Sequence, residues 1–155
     1  MSVEQMEAEK GLSLSGMAIP ALALLGIGIS GYLTYVKFNH KIAVCLGLGD
    51  CEIVQTSRYS EILGIPIALL GLGLYAALLV AWAWGRRPDA WLADQVPWVL
   101  FGLSLAGTLF SAYLTYLEVF VIRAICPWCV ASAAVVTVLC VLTARDVFTN
   151  QEAAG

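Results

Sequence analysis

Four of the chain's five cysteines form two close pairs, Cys45 with Cys51 and Cys126 with Cys129; the fifth is Cys140. The second pair reads Cys-Pro-Trp-Cys, and an apolar run without charge follows it directly. If a helix starts there, Pro127 takes its first position, where a missing N–H costs little. Cys126 then sits at or near the N-cap and Cys129 in the first turn. Unpaired amide N–H groups and the helix dipole favour a thiolate at that place. A thiolate attacks and leaves more readily, and the Cys-x-x-Cys spacing suits a small, reducible disulfide.

Static disulfides and a four-thiolate zinc site are the alternatives. A structural zinc cage set against an apolar core has no evident purpose, and the one histidine, His40, lies apart from the second pair. Redox exchange fits better. A pair in a loop can meet a partner protein, while a pair at a membrane edge can meet a carrier dissolved in lipid. The natural two-electron carrier there is a quinone. Partner thiols would reduce Cys45–Cys51, which would reduce Cys126–Cys129, which would reduce the quinone through successive exchanges. Cys140 lies roughly 21 Å along a helix from Cys126, near the far end, and reads as a packing residue.

These pairs need elements to hold them. Of the 155 residues, 61% are hydrophobic and 12% charged, against about 45–50% and 25% in a soluble domain. The bilayer is the expected solvent, and the net charge of −3 gives no sign of nucleic acid. Crossing a bilayer takes about 20 apolar residues. Four continuous runs qualify: about 17–36, 62–84, 96–121 and 127–144. Continuous rather than alternating apolarity makes them helices, so the expected fold is an all-α, four-transmembrane-helix bundle. Small residues four apart, such as Gly64 with Ala68 and Gly102 with Ala106, suit close helix packing.

The first loop, "KFNHKIAVCLGLGDCEIVQTSRYSE", is long and holds one cysteine pair; its end can form a short helix over the bundle. Only "RAI" separates the third and fourth runs. "SGYLTYVKF" at Ser30 returns as "SAYLTYLEVF" at Ser111, an offset of 81 residues that also carries Cys45 onto Cys126. Two related helical hairpins follow from it. The tyrosines of these segments also read as interface anchors.

Topology puts both cysteine pairs on one side. Basic residues divide evenly: Lys10, Arg86, Arg87 and Arg145 on one side, Lys37, Lys41, Arg58 and Arg123 on the other. The adjacent Arg86 and Arg87 in a short loop favour a cytoplasmic second loop. The cysteines would then face an oxidising space, where disulfides persist. Glu4, Glu7 and Glu9 make the N-terminal segment acidic, unlike a cleavable signal peptide. The division is a polar tail over 1–16, a membrane domain over 17–144 and a C-terminal tail over 145–155.

Cys45, Cys51 and Ser57-Arg58 in the loop, the "LGIPIALLGLGLY" after it, the "YLTY" segment and the late "CPWC" together resemble the vitamin K epoxide reductase (VKOR) family, over nearly the whole chain. The resemblance implies a four-helix bundle around a quinone. It also implies disulfide formation in exported proteins, with electrons passed to ubiquinone or menaquinone in a bacterial inner membrane; the charge and cysteine placement above puts both termini on the cytoplasmic side. Cys45 would exchange with the partner, Cys51 would form the mixed disulfide with Cys126, and Cys129 would face the quinone. Ser57 would orient it; as bare chemistry that serine is a turn or cap residue. Val54, Tyr59, Ile67, Leu70, Leu74, Leu114 and Ala133 would line the pocket.

Two departures shape the expectation. Some bacterial members carry a fused thioredoxin-like domain; here the chain ends at Gly155, so a separate thioredoxin-like or DsbA-like partner is expected. Animal members place an Asn and a Tyr where this chain has Ile67 and Ala133. Neither side chain can hydrogen-bond a quinone carbonyl, which favours simple quinone reduction over epoxide chemistry. The DsbB-type thiol oxidases share four spans and two pairs, but in the opposite order.

Overall fold

The computed structural model describes every residue except Met1, Leu46, Leu48, Pro88 and Ala90, and leaves aside the side chains of residues 4–15 and 153–154. Helix α1 runs Val3–Phe38, α2 is the short Cys51–Thr56, and a 3-10 turn covers Arg58–Ser60. A two-stranded hairpin follows, β1 Glu61–Ile62 and β2 Ile65–Pro66, then α3 Ile67–Gly85. Helix α4 spans Val96–Tyr116 and passes into a π-helical turn, Leu117–Ile122; α5 spans Pro127–Ala154. Backbone helix thus continues through the segments expected as tails, and the side chains of Glu4, Glu7, Glu9 and Lys10 lie outside the described residues.

Among the described residues, four helices are long and apolar enough to cross a membrane: Gly16–Phe38, Ile67–Gly85, Ala93–Ile122 and Pro127–Glu152. The second begins later than hydropathy suggests. Ile62 and Ile65 are apolar, yet Leu63 and Gly64 take positive φ (53° and 80°) and close a two-residue hairpin. Pro66 therefore caps α3 from outside.

Helices α1 and α4 each pack on both α3 and α5. That is the pairing two related hairpins give. The related segments also match locally: Thr34 Oγ1 donates to the Ser30 carbonyl (2.7 Å) and Thr115 Oγ1 to the Ser111 carbonyl (2.9 Å). The core holds Ile19, Ile29, Leu33, Tyr75, Leu78 and Leu139. A Cβ on Gly26 would overlap the Tyr75 ring, so the glycine lets α1 and α3 approach. Leu109, Val80 and Val141 point outward, each more than half exposed, as a lipid-facing surface requires.

Candidate functional site

Both cysteine pairs lie at the same end of the bundle. Cys45 and Cys51 form a disulfide; Cys126, Cys129 and Cys140 are free thiols. Cys51 and Cys126 are both fully buried, in one cluster with Val36, Ala43, Val54 and Ala124, and Cys45 and Cys129 pack against it. The expected partners in exchange are therefore brought together.

Backbone geometry holds the loop there. Gly49, at φ +148°, passes so close to Ile125 that a Cβ would strike the Ile125 carbonyl. The next amide, Asp50 N–H, donates to that carbonyl (3.2 Å). One residue on, Cys51 starts α2. At the other end of the pair, the Val44 amide donates to the Tyr32 hydroxyl (3.0 Å), and Trp128 Nε1 donates to the Val44 carbonyl (2.9 Å). The Tyr32 and Trp128 rings meet at 5.1 Å. Tyr32 is thus a positioning residue rather than an interface anchor, whereas Tyr113, its counterpart in the repeat, is exposed as an anchor would be.

Cys126 is the N-cap of α5 with Pro127 at the first helical position, as the spacing predicts, and its Sγ accepts the Cys129 amide at 3.4 Å. The Cys129 thiol, the Cys129 amide and the Trp128 amide hold the Cys126 thiol below its ordinary value, against burial and the nearby Glu118. A lowered thiol at this cap is the better leaving group in exchange.

A cavity of about 390 Å³ opens beside Cys129 between the helices and under the loop. Its walls include Val54, Ser57, Tyr59, Ile67, Leu70, Leu74 and Leu114, together with Cys129. Ser57 is also the turn residue that bare chemistry suggests: its Oγ donates to the Val54 carbonyl (2.8 Å) at the end of α2. Ala133 is not among the walls, although it stands one turn after Cys129; the α5 positions that line the cavity are Cys129, Ser132 and Val136. Ser132 stands there instead, its carbonyl accepting the Tyr75 hydroxyl at 2.8 Å.

Sequence reasoning missed Glu118. The π-helical turn buries it, 4% exposed, in the cavity wall, where its Oε2 accepts the Cys126 amide at 3.2 Å. The available signal was an acid inside an otherwise apolar run. Among the described residues no group of three or more His, Cys, Asp or Glu is placed to hold a metal ion.

Thiols thus gather at the mouth of an apolar chamber within a bundle of candidate membrane spans. The vitamin K epoxide reductase family matches residues 17–144, and the chain belongs to that family. It is similar to the thiol-disulfide oxidoreductase LTO1 of Arabidopsis thaliana, 32% identical over 123 residues. That match takes in 76% of this chain and 33% of the relative, so the chain spans about a third of the length of that curated protein.

Proposed function

We propose that this protein is a quinone-dependent thiol oxidoreductase that oxidises a thioredoxin-like or DsbA-like partner. One observation carries the reading. Cys51 and Cys126 share a buried cluster, while Cys129, three residues on, lines the cavity. The loop pair and the helix pair therefore meet in one buried cluster at the edge of the apolar chamber.

The exchanges balance as follows. A partner thiolate attacks the Cys45–Cys51 disulfide at Cys45; the partner's second thiol resolves the mixed disulfide and leaves two loop thiols. The Cys51 thiolate attacks an oxidised Cys126–Cys129 pair at Cys126, and Cys129 departs as thiolate. Cys45 then attacks Cys51, which restores the loop disulfide and frees Cys126. The quinone supplies the final acceptor, taking two electrons and two protons as the second disulfide reforms. The net change is partner dithiol plus quinone to partner disulfide plus hydroquinone. The cavity's apolar walls suit a ring, and Ser57, Tyr75 and Ser132 give it a few polar atoms. Ubiquinone and menaquinone are the proposed acceptors, Ser57 orients the ring, and the membrane domain is 17–144.

We place both pairs on the extracytoplasmic face of a bacterial inner membrane, with the termini cytoplasmic. The adjacent Arg86 and Arg87 at the end away from the cysteines support this by the positive-inside rule; they lie over the Trp82 (4.5 Å) and Trp84 (5.3 Å) rings. Trapping tests the relay. Cys45→Ser should accumulate a Cys51–Cys126 mixed disulfide, found by mass spectrometry of the protein purified under acid quench. If Cys51 is instead found joined only to partner protein, the relay is wrong.

A further inference from the structure

Oxidising two thiols with a quinone moves two protons as well as two electrons, and those protons must travel inside an apolar chamber. This inference rests on the proposed quinone reaction. Glu118 is the group placed to carry them. It is buried in the cavity wall and falls within the candidate span Ala93–Ile122, an apolar setting in which a carboxylate is costly. No lysine or arginine is paired with it among the described residues. Its Oε2 accepts the Cys126 amide, and Glu118 and Cys129 line the same cavity. Glu118 is thus bonded to the backbone of one cysteine of the pair and shares the chamber wall with the other.

The backbone is bent to put it there. Leu117–Ile122 is a π-helical turn, a rare form that often marks function. The amides of Arg123, in the left-handed region at φ 56°, and of Ala124 both donate to the Glu118 carbonyl. Their bonds fix the turn and bury Leu117 and Glu118 together.

We propose that Glu118 is a catalytic residue, the proton relay between the Cys126–Cys129 dithiol and the quinone. As the pair is oxidised, the Cys129 thiol gives its proton to the Glu118 carboxylate. Glu118 passes that proton to a quinone oxygen while the electron pair leaves sulfur for the ring. The proton of Cys126 follows by the same carboxylate to the second oxygen. The Cys126–Cys129 bond forms, two S–H bonds break, and the hydroquinone carries both protons away. The titratable groups facing Glu118 are Cys126 and Cys129 at the start of α5; Tyr75 of α3 lines the same cavity, its hydroxyl tied to Ser132.

The test uses full-length, dithiothreitol-reduced protein and ubiquinone-1, with hydroquinone formation followed against pH. Glu118→Gln keeps an acceptor for the Cys126 amide but carries no proton. It should slow the rate about 100-fold, in the range of a lost general acid–base group. Its KM for ubiquinone-1 should be unchanged and its pH profile flattened on the acid side. Glu118→Asp should recover most of the rate, and formate should partly rescue Glu118→Ala. A wild-type melting temperature, measured in the same variants, reports that each one folds. A Gln variant with wild-type rate and profile overturns the relay and leaves the quinone reaction standing. A wild-type protein that passes no electrons to ubiquinone-1 overturns both.

Discussion

Trp128 donates its indole N–H to the carbonyl of Val44 at 2.9 Å. The residue between the cysteines of the helix pair therefore grips the residue just before the first cysteine of the loop pair. Tyr32 takes the amide of the same peptide unit's neighbour, the Val44 N–H, so one loop residue is held from α5 and from α1 at once. In the proposed relay, transfer between the pairs depends on a clamp whose bonds involve none of the four cysteines.

The clamp can be weakened without emptying the space. Trp128→Phe removes the indole donor but leaves a ring against Tyr32. A lost hydrogen bond of this kind costs roughly 1 kcal/mol. Transfer from reduced Cys45/Cys51 to oxidised Cys126/Cys129, read by timed alkylation, should slow about fivefold. Equal rates in the two proteins would mean that the loop finds its place without Trp128.

Gly49→Ala should do more harm, because a Cβ there meets the Ile125 carbonyl and φ +148° is strained for any side chain. A penalty of about 1–3 kcal/mol is expected. The melting temperature should fall, and hydrogen exchange should rise at Asp50, whose amide bonds to Ile125.

The Cys126 thiol is held below its ordinary value chiefly by the Cys129 thiol. Cys129→Ala should therefore raise the pH at which Cys126 reacts with iodoacetamide. The linkage has a definite sign. Between the lowered folded value and the unfolded thiol value, the native state binds fewer protons at Cys126, so stability of the reduced protein rises with pH. That contribution is complete above the unfolded value and is lost as pH falls through the folded one. Thermal melts of reduced wild type across this window should show a steeper rise than melts of reduced Cys126→Ser.

Leu114→Trp places an indole in the cavity. Quinone reduction should lose at least roughly tenfold in kcat/KM, as a crowded apolar pocket does, while dithiothreitol reduction of Cys45–Cys51 stays at the wild-type rate. Steady-state assays with ubiquinone-1 separate the two. Unchanged kcat/KM would remove the cavity from the reaction.

Much of this was legible from residue types. Four apolar runs in a chain of mean hydropathy +0.87 leave few solutions other than a helical bundle, and Pro127 next to Cys126 marks the start of α5. Seven of the eight residues expected around the ring do line the cavity. Ala133 does not, although it stands one turn after Cys129, and residue type gives no sign of which small residue of that turn, Ser132 or Ala133, faces inward. The hairpin before α3 was hidden since Ile62, Leu63 and Ile65 look like the start of a span; the turn depends on Leu63 adopting positive φ, which no composition rule foretells. Glu118 was hidden by the π-helical turn, as regular helix counting gives no account of the changed register.

The offset that carries Cys45 onto Cys126 also carries Lys37 onto Glu118. Lys37 Nζ reaches the Gln55 carbonyl (2.6 Å), Ser60 Oγ (3.0 Å) and the Glu61 carboxylate (3.2 Å). An ammonium in one half thus buttons down the roof over the chamber, while its acidic twin sits in the chamber wall. If the halves descend from one ancestral hairpin, this position has parted into a fastener and a reagent, and exchanging the two charges would leave the roof loose and the sulfurs beside a cation.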